Sequence, residues 1–151
     1  MSKDIKIKSF PKEAGKEISK LLSQAGLPTE DLTRNKLDGF LVARQEEGLL
    51  IGAIGVEAYG DVGLLRSLVV HPSHRGKGIG GRLTHELESF AKRKGIKTLY
   101  LLTTTAADFF THLGYGVIPR ARVPASIAET EEFKNICPVS AVCLFKTLAP
   151  T

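Results

Sequence analysis

The sequence predicts a mixed α/β domain, a mostly antiparallel twisted sheet flanked by helices, running as a single domain over residues 1–151. Three observations carry this. The apolar period is helical over residues 14–25 and becomes extended over 39–70. The extended segments of that second region are joined by short polar turns, which makes them antiparallel neighbours. A strand, a glycine-rich loop, a helix and another strand then follow in order, which is a crossover.

Residues Ile5 to Ser9 alternate weakly and start a strand. Pro11 opens a helix with apolar positions Ala14, Ile18, Leu21, Leu22 and Ala25, and Gly26 and Pro28 stop it. Thr29 before Glu30, Asp31 and Leu32 reads as the cap of a short second helix. Gly39–Arg44, Leu49–Ala58 and Asp61–Val70 are three strands, with turns at Gln45–Gly48 and Tyr59–Asp61. A helix from Gly80 to Lys94 carries the stripe Leu83, Leu87, Phe90 and Ala91, and Gly95 ends it. Lys97–Leu102 is a strand, Ala106–Leu113 a short helix, Gly116–Pro119 a strand, Pro124–Phe133 a helix and Val139–Thr147 the last strand.

Composition narrows the function. Hydrophobic residues are 42% and charged residues 25%, as in ordinary globular domains. A chain of this length buries roughly 70% of its unfolded surface. No apolar run approaches the ~20 residues of a membrane helix, and MSKDIKIKSF lacks the apolar region of a secretory signal. The expected setting is the cytoplasm, with no membrane partner. The net charge of +5 is spread along the chain, without a basic block interleaved with aromatics and without Trp. That argues against nucleic acid and suits a small anionic ligand. Cys137 and Cys143 have no metal-ligand spacing, so no metal is expected.

The stretch HPSHRGKGIGGRL, residues 71–83, holds the chemistry. Gly76, Gly78 and Gly81 spell the dinucleotide pattern G-x-G-x-x-G, but His71-Pro72 interrupt after the strand. No acidic residue ends the next strand, and no second nucleotide-binding half exists. A phosphate-binding P-loop needs Ser or Thr after its lysine, and Lys77 is followed by Gly78. A third reading fits: backbone N–H groups from Gly76 to Gly81 converge on one anion, because no Cβ blocks the approach. The helix start adds partial positive charge, and Arg75 and Lys77 add full charges. That describes a pyrophosphate site; the plainer alternative is a glycine-rich turn.

The run LLRSLVVHP-x-x-RG-x-GIG resembles motif A of the GNAT N-acetyltransferase superfamily. Thr103-x-x-Ala106-x-x-Phe109-Phe110-x-x-Leu113-Gly114-Tyr115 resembles its motif B. The resemblance implies a sheet splayed at the cofactor site and acetyl-CoA as cosubstrate. Its pyrophosphate would lie on Arg75, Gly76, Lys77, Gly78, Ile79, Gly80 and Gly81, its pantetheine along Leu68, Val69 and Val70, and its wall on Thr103, Ala106, Phe109 and Phe110. The phrases LLRSLVVHP, LYLLTTTAADFF and ICPVSAV are similar to the arsenic-resistance N-acetyltransferases. That subgroup implies a small acidic amino-acid acceptor, or an arsenic- or phosphorus-containing analogue. The superfamily also makes a homodimer through the C-terminal strands plausible.

Acetyl transfer to an amine needs a base for the amine, a donor for the carbonyl oxygen and a proton for the departing thiolate. Glu57, at the end of an apolar strand, is the candidate base; a solvated strand-end glutamate is its alternative. Arg66 interrupts an apolar strand and would be costly there unpaired. Either it pairs with Glu57 or Asp61, or it clamps a substrate carboxylate. Regular alternation puts Ser67 on the face opposite Arg66, and Ser67 and Arg34 are further substrate-binding candidates. Many members of the superfamily carry Tyr, the thiolate's acid, where this chain has Phe110. The substitutes open to this chain are Thr103, Thr104, Thr105, a water or no acid at all, with Thr103 the candidate catalytic residue. The rival reading, supported by Phe110, is a non-catalytic acyl-CoA-binding module.

Overall fold

The computed structural model describes residues 5–9, 15–25, 39–45, 49–130, 133–134 and 141–148. In chain order the elements are β1 (Lys6–Ser9), α1 (Gly15–Gln24), β2 (Phe40–Arg44), β3 (Leu50–Tyr59) and β4 (Val62–Val70). A 3-10 turn (Pro72–His74), α2 (Ile79–Arg93), β5 (Thr98–Thr103), α3 (Ala107–His112) and β6 (Gly116–Val117) follow. A second 3-10 turn (Arg120–Arg122), α4 (Ala125–Ala128) and β7 (Val142–Thr147) complete the list. The strands form one mixed sheet in the order β1-β2-β3-β4-β5-β7-β6. Among the described residues, no helix is long and apolar enough to cross a membrane. The expected second helix near Thr29, together with Arg34 and Cys137, lies outside the described residues.

The chain divides into two compact units, Met1–Val56 with Ser67–Phe90 and Glu57–Arg66 with Ala91–Thr151. In the first, β1, β2 and β3 pair antiparallel. Helix α1 lays Ile18, Leu21 and Leu22 on Phe40, Val42, Leu50, Ala53 and Val69, as its helical spacing requires. Each such side chain contributes about 1.5–3 kcal/mol by burial. Two glycines of β3 permit close packing: a Cβ at Gly55 would lie 2.4 Å from the Phe40 ring, and one at Gly52 2.9 Å from Leu83 of α2. Ile79, Leu83 and Leu87 recur every four residues on α2 and are buried.

In the second unit β5 pairs antiparallel with β7 along its whole length, from Thr98↔Thr147 to Thr103↔Val142. Its parallel register with β4 covers only Val62–Leu64, opposite Thr98–Tyr100. Leu64, Val123, Ile127, Phe133 and Cys143 form the core.

Two expected elements differ from their sequence pattern. The strand begun at Gly116 ends at Val117, since Pro119 offers no N–H and caps the following 3-10 turn. The helix expected over residues 124–133 is interrupted: α4 ends at Ala128, and residues 133–134 are helical again, with the Lys134 N–H donating to the Thr130 carbonyl at 2.9 Å. The Thr130 hydroxyl donates to the Ile127 carbonyl and accepts the Phe133 N–H, local bonds that compete with helix continuation.

Candidate functional site

The glycine loop forms step by step from β4. His71 caps the 3-10 turn, its Nδ1 accepting the Ser73 N–H at 3.2 Å. Gly76 and Gly78 then take φ of +81° and +79°. An L side chain there would cost about 1–2 kcal/mol, so glycine is required by the backbone itself. A Cβ at Gly76, Gly78 or Gly81 meets nothing within 4 Å, so the space beside each of these glycines is open. Helix α2 starts at Ile79, and Arg82 N–H donates to the Gly78 carbonyl at 3.1 Å. The amides of Ile79, Gly80 and Gly81 thus fall in the first turn, where N–H groups have no intrahelical partner. Ile79 is buried, with 2% of the residue exposed.

Cations ring the loop. Arg75 Nε donates to the Val70 carbonyl at 3.2 Å, which bends its guanidinium back toward the strand end. Arg82 NH2 donates to the Ile5 carbonyl at 3.3 Å, and Lys77 is exposed. Left-handed glycines, first-turn amides and flanking cations together form a cradle for a diphosphate. The residues present therefore fit the pyrophosphate of a coenzyme A thioester.

Upstream, β4 carries an irregularity that its sequence does not announce. Ser67 has φ +62°, a left-handed residue within a strand, at a cost of about 1–3 kcal/mol. It breaks the regular pleat, so alternation no longer dictates the face of Ser67 relative to Arg66. Leu68, Val69 and Val70 follow directly; Val69 is buried and the other two are half-buried.

Glu57 is the hub of a buried cluster. Arg66 NH1 donates to Glu57 Oε2 at 2.8 Å, and the Tyr59 hydroxyl donates to Glu57 Oε1 at 2.5 Å. The Arg66 side chain is 0% exposed. Of the two roles the sequence left open for Arg66, the structure shows the pairing with Glu57. Tyr59 was read only as a turn residue; its signal was the i, i+2 spacing from Glu57, which puts both on one strand face.

Motif B divides by role. Thr103 Oγ1 accepts the N–H of Ala106 at 2.9 Å and of Thr105 at 3.3 Å, shaping the entry to α3. Those bonds use the hydroxyl's lone pairs and not its proton. Phe110 is buried between Phe109 and Tyr115, with ring centroids 5.1 and 5.4 Å away, and is core. Phe109 is the exposed ring of the pair. Among the described residues no group of three His, Cys, Asp or Glu could hold a metal ion.

These features have counterparts in known proteins. An amino-acid acetyltransferase of Pseudomonas fluorescens is 30% identical over 109 residues, covering 71% of this chain and 25% of that protein. The chain thus spans about a quarter of the length of the curated relatives it matches. N-acetylglutamate synthase from Neisseria gonorrhoeae, solved with coenzyme A and N-acetyl-glutamate, superposes with a TM-score of 0.83 at 18% identity, over 99% of this chain and 36% of that one. A Mycobacterium tuberculosis protein solved in complex with CoA gives 0.80 at 17% identity, over 95% and 99% of the two chains. At those identities the likeness is one of fold. The family model of the acetyltransferase (GNAT) domain matches residues 36–117, a span that contains β2 to α3, the glycine loop and the Glu57 cluster. With more than half of its length inside that match, this chain belongs to the GNAT acetyltransferase family.

Proposed function

We propose that this chain is an N-acetyltransferase that moves the acetyl group of acetyl-CoA to the amino group of a small acidic amino acid or analogue. The observation that carries the reading is the loop with left-handed Gly76 and Gly78 opening onto the first turn of α2. The amides of Gly76 to Gly81, with Arg75 and Lys77, hold the pyrophosphate, and the backbone of Leu68–Val70 lines the pantetheine. Bound there, acetyl-CoA supplies an activated acyl thioester.

The chain's own groups do the rest. Glu57 takes the amine proton, and Arg66 with Tyr59 positions its carboxylate. This moves Arg66 from substrate clamp to positioning residue, because its guanidinium is wholly buried against Glu57. The Thr103 hydroxyl, whose lone pairs receive two amides, donates its proton to the leaving thiolate. An acidic amino acid as acceptor is supported by the names of the relatives and by the basic balance of the chain. An acceptor carrying arsenic or phosphorus rests on the sequence phrases similar to the arsenic-resistance subgroup. Homodimerisation and a cytoplasmic setting belong to the same proposal.

A second reading, a non-catalytic acyl-CoA-binding module, is favoured by buried Phe110 in place of the family's tyrosine. Thiol release from acetyl-CoA against a panel of amines separates the two. The panel holds glutamate, aspartate, phosphinic and arsinic analogues, a polyamine and a lysine peptide. Turnover with an acidic amine supports the enzyme; cofactor binding without turnover of any amine supports the module.

A further inference from the structure

The loop that ends β4 carries a chain of side-chain contacts which phosphate binding does not itself require. Gln45 Nε2 lies 2.8 Å from His74 Nε2. His74 Nδ1 lies 2.9 Å from Ser73 Oγ, and Ser73 Oγ lies 2.8 Å from His71 Nδ1. The Ser73 backbone N–H also donates to His71 Nδ1 at 3.2 Å. The two imidazoles stand edge to face, with centroids 6.1 Å apart.

Counting protons gives the chain a direction. A backbone N–H always donates, so His71 Nδ1 is a lone pair. The contact between that lone pair and Ser73 Oγ needs a proton, and only the serine hydroxyl can supply it. The hydroxyl has a single proton, so His74 Nδ1 must donate its own to Ser73 Oγ. Neutral His74 then has a lone pair at Nε2, which accepts from the Gln45 amide nitrogen. The chain runs Gln45 → His74 → Ser73 → His71, each contact with one proton. His71 is left as the Nε2–H tautomer and His74 as the Nδ1–H tautomer.

We infer that Gln45 and His74 are positioning residues for the phosphate loop, tying it through Ser73 and His71 to the end of β2. The inference rests on the reading of that loop as the coenzyme A site. A loop with two left-handed glycines has much backbone freedom to lose on binding. Gln45 lies 29 residues from His74 in sequence and anchors the loop from a different element. The anchoring reduces the ordering left to the ligand, which is preorganisation. Ser73 is exposed and the other three are half-buried, so each can be changed without opening the core.

Two measurements on the whole chain test this. Nitrogen–proton correlation spectra of the histidine-labelled, ligand-free protein report the tautomers; His71 as Nε2–H and His74 as Nδ1–H are expected. Calorimetric titration with coenzyme A then compares Gln45→Leu, Ser73→Ala and Ser73→Thr. The first two raise Kd about tenfold, the scale of one lost hydrogen bond, and Ser73→Thr restores the unaltered value. Two Nε2–H tautomers, or unaltered Kd in both Gln45→Leu and Ser73→Ala, overturn the inference while coenzyme A still binds the unaltered protein. If the unaltered protein binds no coenzyme A, the cofactor reading falls, and the positioning role with it.

Discussion

Arg66 of β4 and Glu57 of β3 form a buried ion pair, NH1 to Oε2 at 2.8 Å, with side-chain exposures of 0% and 6%. Removing one partner strands the other charge away from water. Arg66→Met is expected to destabilise the protein by about 3–5 kcal/mol. Adding Glu57→Leu to it restores most of that loss, since paired apolar replacements are often neutral. Urea unfolding of the single and double variants reads this directly. A single variant as stable as the parent would show that the pair holds nothing.

Glu57→Gln keeps one carbonyl oxygen for Arg66 and turns its amide N–H toward the Tyr59 oxygen; it removes the base and the counter-charge of Arg66, so kcat is read on protein whose folding has been checked by urea unfolding. At neutral pH kcat should fall about 10²–10⁴-fold, the usual worth of general-base catalysis. The loss should shrink as pH rises and the amine deprotonates in solution. A pH–rate profile checks this; an unaltered kcat at pH 7 would assign the carboxylate to structure alone.

Gly78→Ala places a side chain at φ +79°. The strain of about 1–2 kcal/mol is relieved by moving the loop, so coenzyme A affinity should fall tenfold or more. Gly60→Ala is the control. It meets similar strain at φ +70°, with open space around its Cβ, in the turn between β3 and β4. It should lose stability and keep its affinity for coenzyme A. Titration calorimetry of the two separates loop geometry from general weakening.

Much of this architecture was legible in the chain. The helical spacing of Ile18, Leu21 and Leu22 and the repeat of Leu83 and Leu87 name the buried faces, because burial acts on every turn. The glycine loop was legible because Gly76 and Gly78 are separated by one residue and flanked by cations. Ser67 was not, because serine within LLRSLVV carries no signal for a left-handed backbone. The interruption after α4 was not legible, because the local bonds of the Thr130 hydroxyl leave no mark on the apolar pattern. The Tyr59–Glu57–Arg66 cluster was half visible: the need for a partner could be read from Arg66, and its identity only from the pairing of two strands.

Thr103→Val removes the acceptor for the Ala106 amide and the proposed proton donor together, whereas Thr103→Ser keeps both. Thr103→Val should lose at least tenfold in kcat and Thr103→Ser should stay within about threefold. Acceptor assays with a thiol of lower basicity as leaving group should narrow the gap, since a better leaving group needs less help. Loss in Thr103→Ser with none in Thr103→Val would mean that the methyl packing of threonine, and not its hydroxyl, is what counts.

Cys143 is buried among Leu64, Val123, Ile127 and Phe133. Burial pushes its thiol up from 9.0 to about 11, with Arg120 opposing. The folded state therefore favours the protonated thiol. Its contribution is complete below about pH 9 and is lost as pH rises through about 11, a total of about 2–3 kcal/mol. Tyr100, also raised by burial, adds in the same direction at higher pH. Urea midpoints between pH 8 and 11 should fall with pH, and the fall should be smaller in Cys143→Val. A flat profile in the parent would mean that the thiolate is tolerated in the core.

Acetyl transfer from acetyl-CoA to the amine of a small acidic acceptor is tested by thiol release during incubation with glutamate, aspartate and their phosphinic and arsinic analogues. Acceptor-dependent release is expected with at least one acidic amine, and is expected to be lost in Glu57→Gln. Tight coenzyme A binding with no release above background for any amine would contradict it and leave a cofactor-binding module in its place.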